Sequence, residues 1–384
     1  MACPATRARV PARPLTRAEI EPMLAPRARP FPARAFLDEE VFAFERAVIF
    51  GRTWICVGRD DELDLPGRWL REDVAGEPIL VVRGPDLRLR ALFDVCRHRG
   101  ASLVARAECG RAARLECPYH GWRYELDGRL ASAPFLPSGV DRADLALFEA
   151  RVDVWKGLVF VCLDDATPPL AEWLGESPPW LDEGALGALR RGRRVRYEVA
   201  ANWKLLVENF QESHHFPGVH PALERLTPTR EARSWLTEGP WLGGTMEIED
   251  AETVSLDGSR HDRPLLVRSG PPRVFDAMLF PGLFTSLQPD YLLTYRLTPL
   301  AAGRTRVTAD TYFHAAAFAP GFDPRDVLEL WDRVNAEDRA ICEDQQERAR
   351  SRAFDPACYA TVEEGMHAFD RMVAAIHLAE GGHG

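Results

Sequence analysis

The chain has 384 residues, 46% hydrophobic and 28% charged, a globular composition with room for two domains. Its formal charge of −10 and pI near 5.6 argue against a nucleic-acid role, which needs a clustered positive face. No run approaches the roughly 20 apolar residues of a membrane span, and the eight cysteines show no disulfide-framework spacing, so a reducing, cytoplasmic setting is expected.

Residues 1–44 are rich in Arg and Pro and lack acids before Glu19. The composition resembles a transit peptide, but the prolines oppose a long amphipathic helix, and the segment reads as an N-terminal arm packing on the catalytic domain. Residues 45–165 read as an antiparallel β domain. Pro78–Arg83 and Leu87–Phe93 have β character, and Tyr124–Leu130 reads as a hairpin with Asp127-Gly128 at its tip. Two loops carry Cys96-Arg97-His98 and Cys117-Pro118-Tyr119-His120. Each supplies one thiolate and one imidazole, the donor set of a Rieske [2Fe–2S] cluster, with one iron on sulfur and the other on nitrogen. Tetrahedral zinc also takes Cys2His2, but zinc fingers usually draw both cysteines from one run and both histidines from another. The 18 residues between His98 and Cys117 suggest a long loop. Cys162, in an apolar run, reads as core, and Cys109 as a loop thiol.

Asp164–Pro179, rich in proline and acids, marks a boundary, and residues 166–384 read as the second domain. Arg190–Arg194 reads as a solvated face or a docking patch for an acidic partner. A strand at Val195–Ala200 precedes a helical run from Trp203 to about Phe216. Strands follow at Thr245–Glu249, Tyr291–Leu297 and Thr305–Phe313, then a long helix from near Pro324 to about Arg350, an α+β order. Glu212 and His215 share a face if the first helix persists, and Pro217-Gly218 ends it and turns His220 toward His215. Two imidazoles and one carboxylate suit Fe(2+) with positions left open for O2, although histidines at a helix end can simply be solvated. On the long helix, Asp338 falls near the middle of the stripe Val327, Leu330, Trp331, Val334, Ile341 and Cys342. Glu337 lies toward the margin, while Asp332 and Glu343 point away. A buried carboxylate must be paired or bound to metal. Asp338 is therefore the third ligand, with a salt bridge to an arginine on a neighbouring element as the alternative.

The patterns Asn202-Trp203-Lys204…Glu208-Asn209-x2-Glu212-x2-His215-x4-His220 and Asn335-x2-Asp338-x3-Cys342 resemble Rieske non-haem iron oxygenase α subunits of the ring-hydroxylating type. Length and style are similar to the homotrimeric quaternary-ammonium branch. The resemblance implies an antiparallel β Rieske domain joined to a helix-grip (START-like) catalytic domain with an antiparallel sheet and a long C-terminal helix. It implies Cys96, His98, Cys117 and His120 as cluster ligands, His215, His220 and Asp338 as ligands of a mononuclear Fe(2+), and Glu212 and Asn209 as catalytic residues. Glu212 matches a carboxylate expected to bridge His215 and His120 of the partner subunit in a homotrimer; many members have Asp there. His214 is read as a supporting or structural residue.

The implied activity is that of an oxygenase component. It would use O2 and electrons from NAD(P)H to hydroxylate or oxidatively demethylate a small organic substrate, a quaternary amine foremost. No Gly-x-Gly-x-x-Gly follows a predicted strand and no further four-cysteine motif occurs, so a separate flavin/iron–sulfur reductase is expected. Trp235, Trp241, Phe280, Phe284 and Tyr291 are candidates for an aromatic cage around a cation. Two alternatives stand beside this reading: a cis-dihydroxylating aromatic-ring dioxygenase α subunit, and a non-catalytic Rieske electron-transfer protein, which predicts no second metal site.

Overall fold

The computed structural model describes residues 14–381 apart from 26, 106, 184–185 and 268–269. Its contacts divide the chain into a unit from Arg46 to Trp173 and a second from Leu174 onward that includes the segment ending at Glu45. Every strand pair recorded is antiparallel.

The first unit contains β1 (Ile55–Arg59), β2 (Arg68–Val74), β3 (Glu77–Arg83), β4 (Leu89–Phe93), β5 (Cys109–Arg111), β6 (Leu115–Glu116), β7 (Arg123–Tyr124), β8 (Leu130–Ser132), β9 (Glu149–Trp155) and β10 (Leu158–Cys162). One sheet runs β1-β10-β9-β4-β3-β2-β5, and β6-β7-β8 forms a small second one. β3 is buried on both faces because its side chains alternate between two cores. Ile79 and Val81 pack with Val57, Leu70 and Val159. Leu80 and Val82 join Trp69, Trp122 and Tyr124 in the core that also encloses Cys96 and Cys117. The thiols therefore rest on a packed layer. The segment between His98 and Cys117 is not all loop: it adds β5 to the sheet edge and then β6. Gly128, at φ +83, closes the β7–β8 turn expected at Asp127-Gly128.

The second unit is built on β11 (Leu189–Val199), β12 (Arg233–Leu236), β13 (Trp241–Glu247), β14 (Arg273–Leu279), β15 (Leu283–Leu287), β16 (Tyr291–Ala301) and β17 (Arg304–His314), ordered β11-β17-β16-β15-β14-β13-β12. β12, β14 and β15 have no counterpart among the strands expected from the sequence. β15 is buried at every residue and has no alternation to betray it. The Arg190–Arg194 run lies in edge strand β11, where Arg193 pairs with Asp332 at 2.8 Å and Arg194 with buried Asp310 at 2.6 Å. Arg193 and Arg194 are thus paired within the unit, while Arg190 and Arg191 are exposed. The long helix is Arg325–Arg348, and Val327, Leu330, Val334, Cys342 and Gln346 form its buried stripe. At about 1.5–3 kcal/mol per fully buried aliphatic side chain, this stripe holds the helix on the sheet. A further helix, Glu364–Gly381, follows it. No described helix is long and apolar enough to cross a membrane.

Asn202-Trp203-Lys204 proves to be an anchor. Asn202 caps the Trp203–Phe210 helix by accepting from Lys204 N at 3.1 Å, and its Nδ2 donates to Ala302 O at 2.7 Å. Trp203 Nε1 donates to Glu45 at 2.9 Å, and Lys204 Nζ reaches both Glu45 oxygens at 2.7 Å, all fully buried. His377 Nε2 lies 3.2 Å from Glu45, while its Nδ1 accepts from Leu15 N at 3.1 Å. The segment before Glu45 is thus tied to both helices.

Candidate metal centres

Two loops of the first unit present the cysteine–histidine pairs with the same backbone design. Gly100 N donates to Cys96 O and Gly121 N to Cys117 O, while Cys96 N donates to Ala101 O and Cys117 N to Trp122 O. The glycines sit at φ +78 and +69, and an added Cβ would meet nothing closer than 4.0 Å at either. Backbone conformation, not space, demands glycine there. The two thiols are buried, at 2% exposure each, whereas both imidazoles are exposed. His98 and His120 bring their Nδ1 atoms within 3.1 Å, and His98 stacks on Trp122. Burial pushes the Cys117 thiol up, and the nearby Cys96 adds to this against the N–H groups of Tyr119 and His120. His120 is held down by desolvation, then by His98 and Arg99, which favours the neutral, ligating imidazole. Two inner sulfurs and two outer nitrogens on facing loops match a cluster with one iron of each kind. Tyr124, absent from the sequence-based candidates, places its hydroxyl 3.4 Å from Cys96 Sγ and accepts from Arg97 N at 3.0 Å. A hydrogen bond to a ligand sulfur is one of the levers on cluster potential.

In the second unit the helix expected to reach Phe216 stops at Phe210. Pro217 has no N–H to offer Ser213 O, so a continuous helix would lose that bond. Ser213 O instead accepts from Phe216 N at 3.0 Å and Thr229 Oγ1 at 2.7 Å. The chain restarts as the short helix Phe216–Val219 with its proline in the first turn. Pro217-Gly218 therefore opens a helix and does not end one. Glu212 and His215 meet without a shared helical face: Glu212 Oε2 accepts from His215 N at 3.1 Å and Oε1 lies 2.6 Å from His215 Nδ1.

His215, His220 and Asp338 converge, each offering one ligand atom within 4.8 Å of the others. Asp338 Oδ1 is 2.8 Å from His220 Nε2 and 3.5 Å from His215 Nε2. Its ion-pair partners are these histidines, in place of the arginine of the alternative reading. Burial opposes ionisation of Asp338, but its two histidine partners hold it below the usual range. For His215, burial is outweighed by Asp338 and Glu212, and its pKa is pushed up to about 9. His220 is raised against burial by Asp338 and then Glu337. Two imidazole nitrogens with one carboxylate are the donors that Fe(2+) favours.

Glu337 was placed at the margin of its helix, yet its Oε2 lies 2.7 Å from His220 Nδ1 and its Oε1 accepts from Arg333 at 2.9 Å. Each histidine thus has Nδ1 against a carboxylate and Nε2 turned to Asp338. Asp332 pairs with Arg193, and Glu343 accepts from Ala200 N, both away from the triad. Exposed His214 lies 3.2 Å from Glu363. Asn209 and Glu212 line a cavity of about 360 Å³ that also receives His215, His220 and Asp338. Its aromatic lining is Tyr197, Phe210, Phe284, Tyr295 and Trp331 with Phe216. Of the cage candidates only Phe284 belongs to it, stacked on Phe210 with centroids 4.2 Å apart. Trp241, Phe280 and Tyr291 are core residues, and Trp235 packs on Trp180. Alternating strand faces assign these positions, and sequence alone does not show which face is inward.

The family model described as Rieske [2Fe-2S] domain matches residues 53–151, and that described as ring hydroxylating alpha subunit (catalytic domain) matches 186–378. The glycine betaine monooxygenase oxygenase subunit of Chromohalobacter salexigens is 30% identical over 366 residues, covering 87% of this chain and 82% of that one. The carnitine monooxygenase oxygenase subunit of Acinetobacter baumannii is 27% identical over 370 residues, covering 90% and 94%. A crystal structure of the quaternary ammonium Rieske monooxygenase CntA superposes with a TM-score of 0.82 at 25% identity, covering 95% of this chain and 99% of that one. Matched by both models in one chain, the protein belongs to the Rieske-type ring-hydroxylating oxygenase α subunits, iron-dependent oxidoreductases that incorporate oxygen from O2.

Proposed function

We propose that this chain is the oxygenase component that hydroxylates or oxidatively demethylates a small quaternary amine. The observation that carries the reading is the convergence of His215, His220 and Asp338 on an aromatic-lined cavity of about 360 Å³. A pure electron carrier would have no use for such a cavity. Aromatic faces attract a quaternary cation, and the names of the full-length relatives point to the same substrate class.

Residues 45–165 are assigned as the Rieske domain, 166–384 as the catalytic domain and 1–44 as an arm on the latter; the two family matches fall inside the first two. Cys96, His98, Cys117 and His120 would hold the cluster, and His215, His220 and Asp338 the mononuclear iron. When bound, these groups supply single-electron transfer and O2 activation. The protein's own part is orientation. Glu212 and Glu337 take the Nδ1 side of His215 and His220, leaving each Nε2 for the metal. Asn209 and the aromatic walls shape the space beside it. Glu212 further joins His215 to His120 of the partner subunit in a homotrimer. Electrons arrive from NAD(P)H through a separate flavin/iron–sulfur reductase, and the protein works in the cytoplasm.

The test is substrate-dependent consumption of O2 and NADH with a surrogate reductase, screening quaternary amines beside aromatic acids and quantifying product and peroxide. Stoichiometric aldehyde or alcohol from a quaternary amine is expected. Turnover of aromatic acids alone would overturn the substrate class. An iron content of about two per chain, with none removable by chelators, would overturn the oxygenase assignment of the second site.

A further inference from the structure

Gly244 of β13, Asp276 of β14 and Ser286 of β15 lie directly opposite one another on adjacent strands. Their side-chain positions therefore share one face of the sheet, and all three line the cavity, as does Gln288. Gln288 Nε2 donates to Ser286 Oγ at 2.9 Å, and Ser286 stands directly opposite Asp276, whose carboxyl pKa it lowers against burial. With the amide donating to its oxygen, the Ser286 hydroxyl keeps its single proton for the carboxylate opposite. That commitment also fixes which end of the Gln288 amide faces Ser286.

Two buried acceptors on this wall have no hydrogen-bond partner among the described residues: Asp276 Oδ1 and Gln288 Oε1. Directly opposite the carboxylate on β13 stands Gly244, which has no side chain to cover it. An added Cβ at Gly244 would stand 2.8 Å from Arg233 O, and one at Gly243 2.3 Å from Asp276 O. Close strand approach thus demands glycine, which is otherwise unfavourable inside a strand. A buried carboxylate oxygen without a donor costs free energy unless a ligand supplies the missing charge. Burial pushes Asp276 up to about 6, against the lowering effect of Ser286. Tyr295, also in the cavity lining, lies within electrostatic reach of both Asp276 and Asp338.

We propose that Asp276, positioned by Ser286 and Gln288, is the counter-charge that receives the cationic nitrogen of the substrate and selects it over a neutral group of equal size. This rests on the quaternary-amine reading and adds to it a residue that distinguishes charge from shape. Aromatic walls accept a trimethylammonium group and a tert-butyl group with similar packing, whereas a carboxylate does not treat them alike.

The experiment is calorimetric titration of the intact, iron-loaded protein without reductase. Glycine betaine is compared with 3,3-dimethylbutanoate, and choline with 3,3-dimethyl-1-butanol, each pair differing by carbon in place of charged nitrogen. Wild type should prefer the cations, and Asp276→Asn should lose about tenfold to a hundredfold in their affinity while binding the isosteres unchanged. Ser286→Ala, which removes only the orienting hydroxyl, should lose part of the same preference and serves if the first variant fails to fold. Undiminished cation preference in a folded variant at either position would overturn the role of Asp276 and leave the substrate reading intact. A wild type that binds isosteres as tightly as cations, or binds neither, would overturn the substrate reading itself.

Discussion

Replacing Glu337 by alanine isolates the outer support of the second metal site. His220 is 1% exposed, and its Nδ1 lies 2.7 Å from Glu337 Oε2. Burial disfavours the ionised Glu337, but His220 and Arg333 together hold it below the usual carboxylate range. The contact is thus charge-assisted. Its loss leaves a buried imidazole N–H without an acceptor, at about 1–3 kcal/mol. It also frees the ring to place its proton on Nε2, the atom facing Asp338 at 2.8 Å. Loss of the outer partner of a ligating histidine typically weakens metal binding by about 10–100-fold. That corresponds to about 1.4–2.7 kcal/mol, the same range reached from the hydrogen bond alone. The assay is Fe(2+) titration of the metal-stripped second site against a competing chelator, with visible absorption of the Rieske cluster as internal control. Glu337→Ala should weaken Fe(2+) binding by about 10–100-fold at unchanged cluster content, and Glu337→Gln, which keeps an acceptor, should recover most of it. Iron affinity within about twofold of wild type in the alanine variant would refute the reasoning, since RT ln 2 is well below one hydrogen bond.

Glu212→Gln keeps an acceptor for His215 N but removes the charge facing His215 Nδ1 at 2.6 Å, so both metals should stay while product formation collapses; unchanged turnover would sink the bridging role. Lys204→Met leaves Glu45 buried with His377 and Trp203 as its partners, and denaturant titration should register a loss of about 3–5 kcal/mol, less than 1 kcal/mol arguing against the anchor. Asp370 is pushed up to about 8 by burial, against the Tyr359 hydroxyl and Lys204. Its folded form then binds more protons than the unfolded chain between about pH 4 and 8, so stability falls as pH rises through that window. Asp370→Asn should flatten the decline in melting temperature from pH 6 to 9; an identical decline in the variant would assign it to other groups.

The cluster loops were legible because everything they need is local. A cysteine, a histidine two or three residues on, and a glycine at the fifth position define a turn whose backbone bonds close on themselves. The long-helix ligand was legible for a different reason: a carboxylate inside an apolar stripe must have a partner. Glu337 escaped the same test because helical phase ranks residues by burial against the sheet, and His220 approaches from the flank. The Trp203–Phe216 helix was overextended because apolar periodicity outlasts the helical hydrogen bonds, the last of which comes from the capping Gln211 N. The cage aromatics could not be assigned without strand register, and β14 and β15, which carry Asp276 and Phe284, had no pattern of their own to set it.

The break in that helix bears on how the ligands are held. His215 and His220 lie in short turns, where few backbone bonds fix a side chain, yet a metal site demands tight positioning. The constraint comes from both sides. Upstream, the Trp203–Phe210 helix is tied at its first turn by Lys204 and Trp203 to Glu45. Downstream, the carboxylates of Asp338 and Glu337 come from a 24-residue helix whose stripe is packed on the sheet. A turn clamped between two anchored helices can hold two imidazoles as firmly as a helix could, and it can orient them at angles that one helical face forbids: their rings stand at 75° to one another. On this argument Lys204, although not a cavity-lining residue, supports iron retention through the helix start. The cost of Lys204→Met should therefore appear in iron affinity as well as in global stability, and undiminished iron affinity in the destabilised variant would show that the long helix alone sets the site.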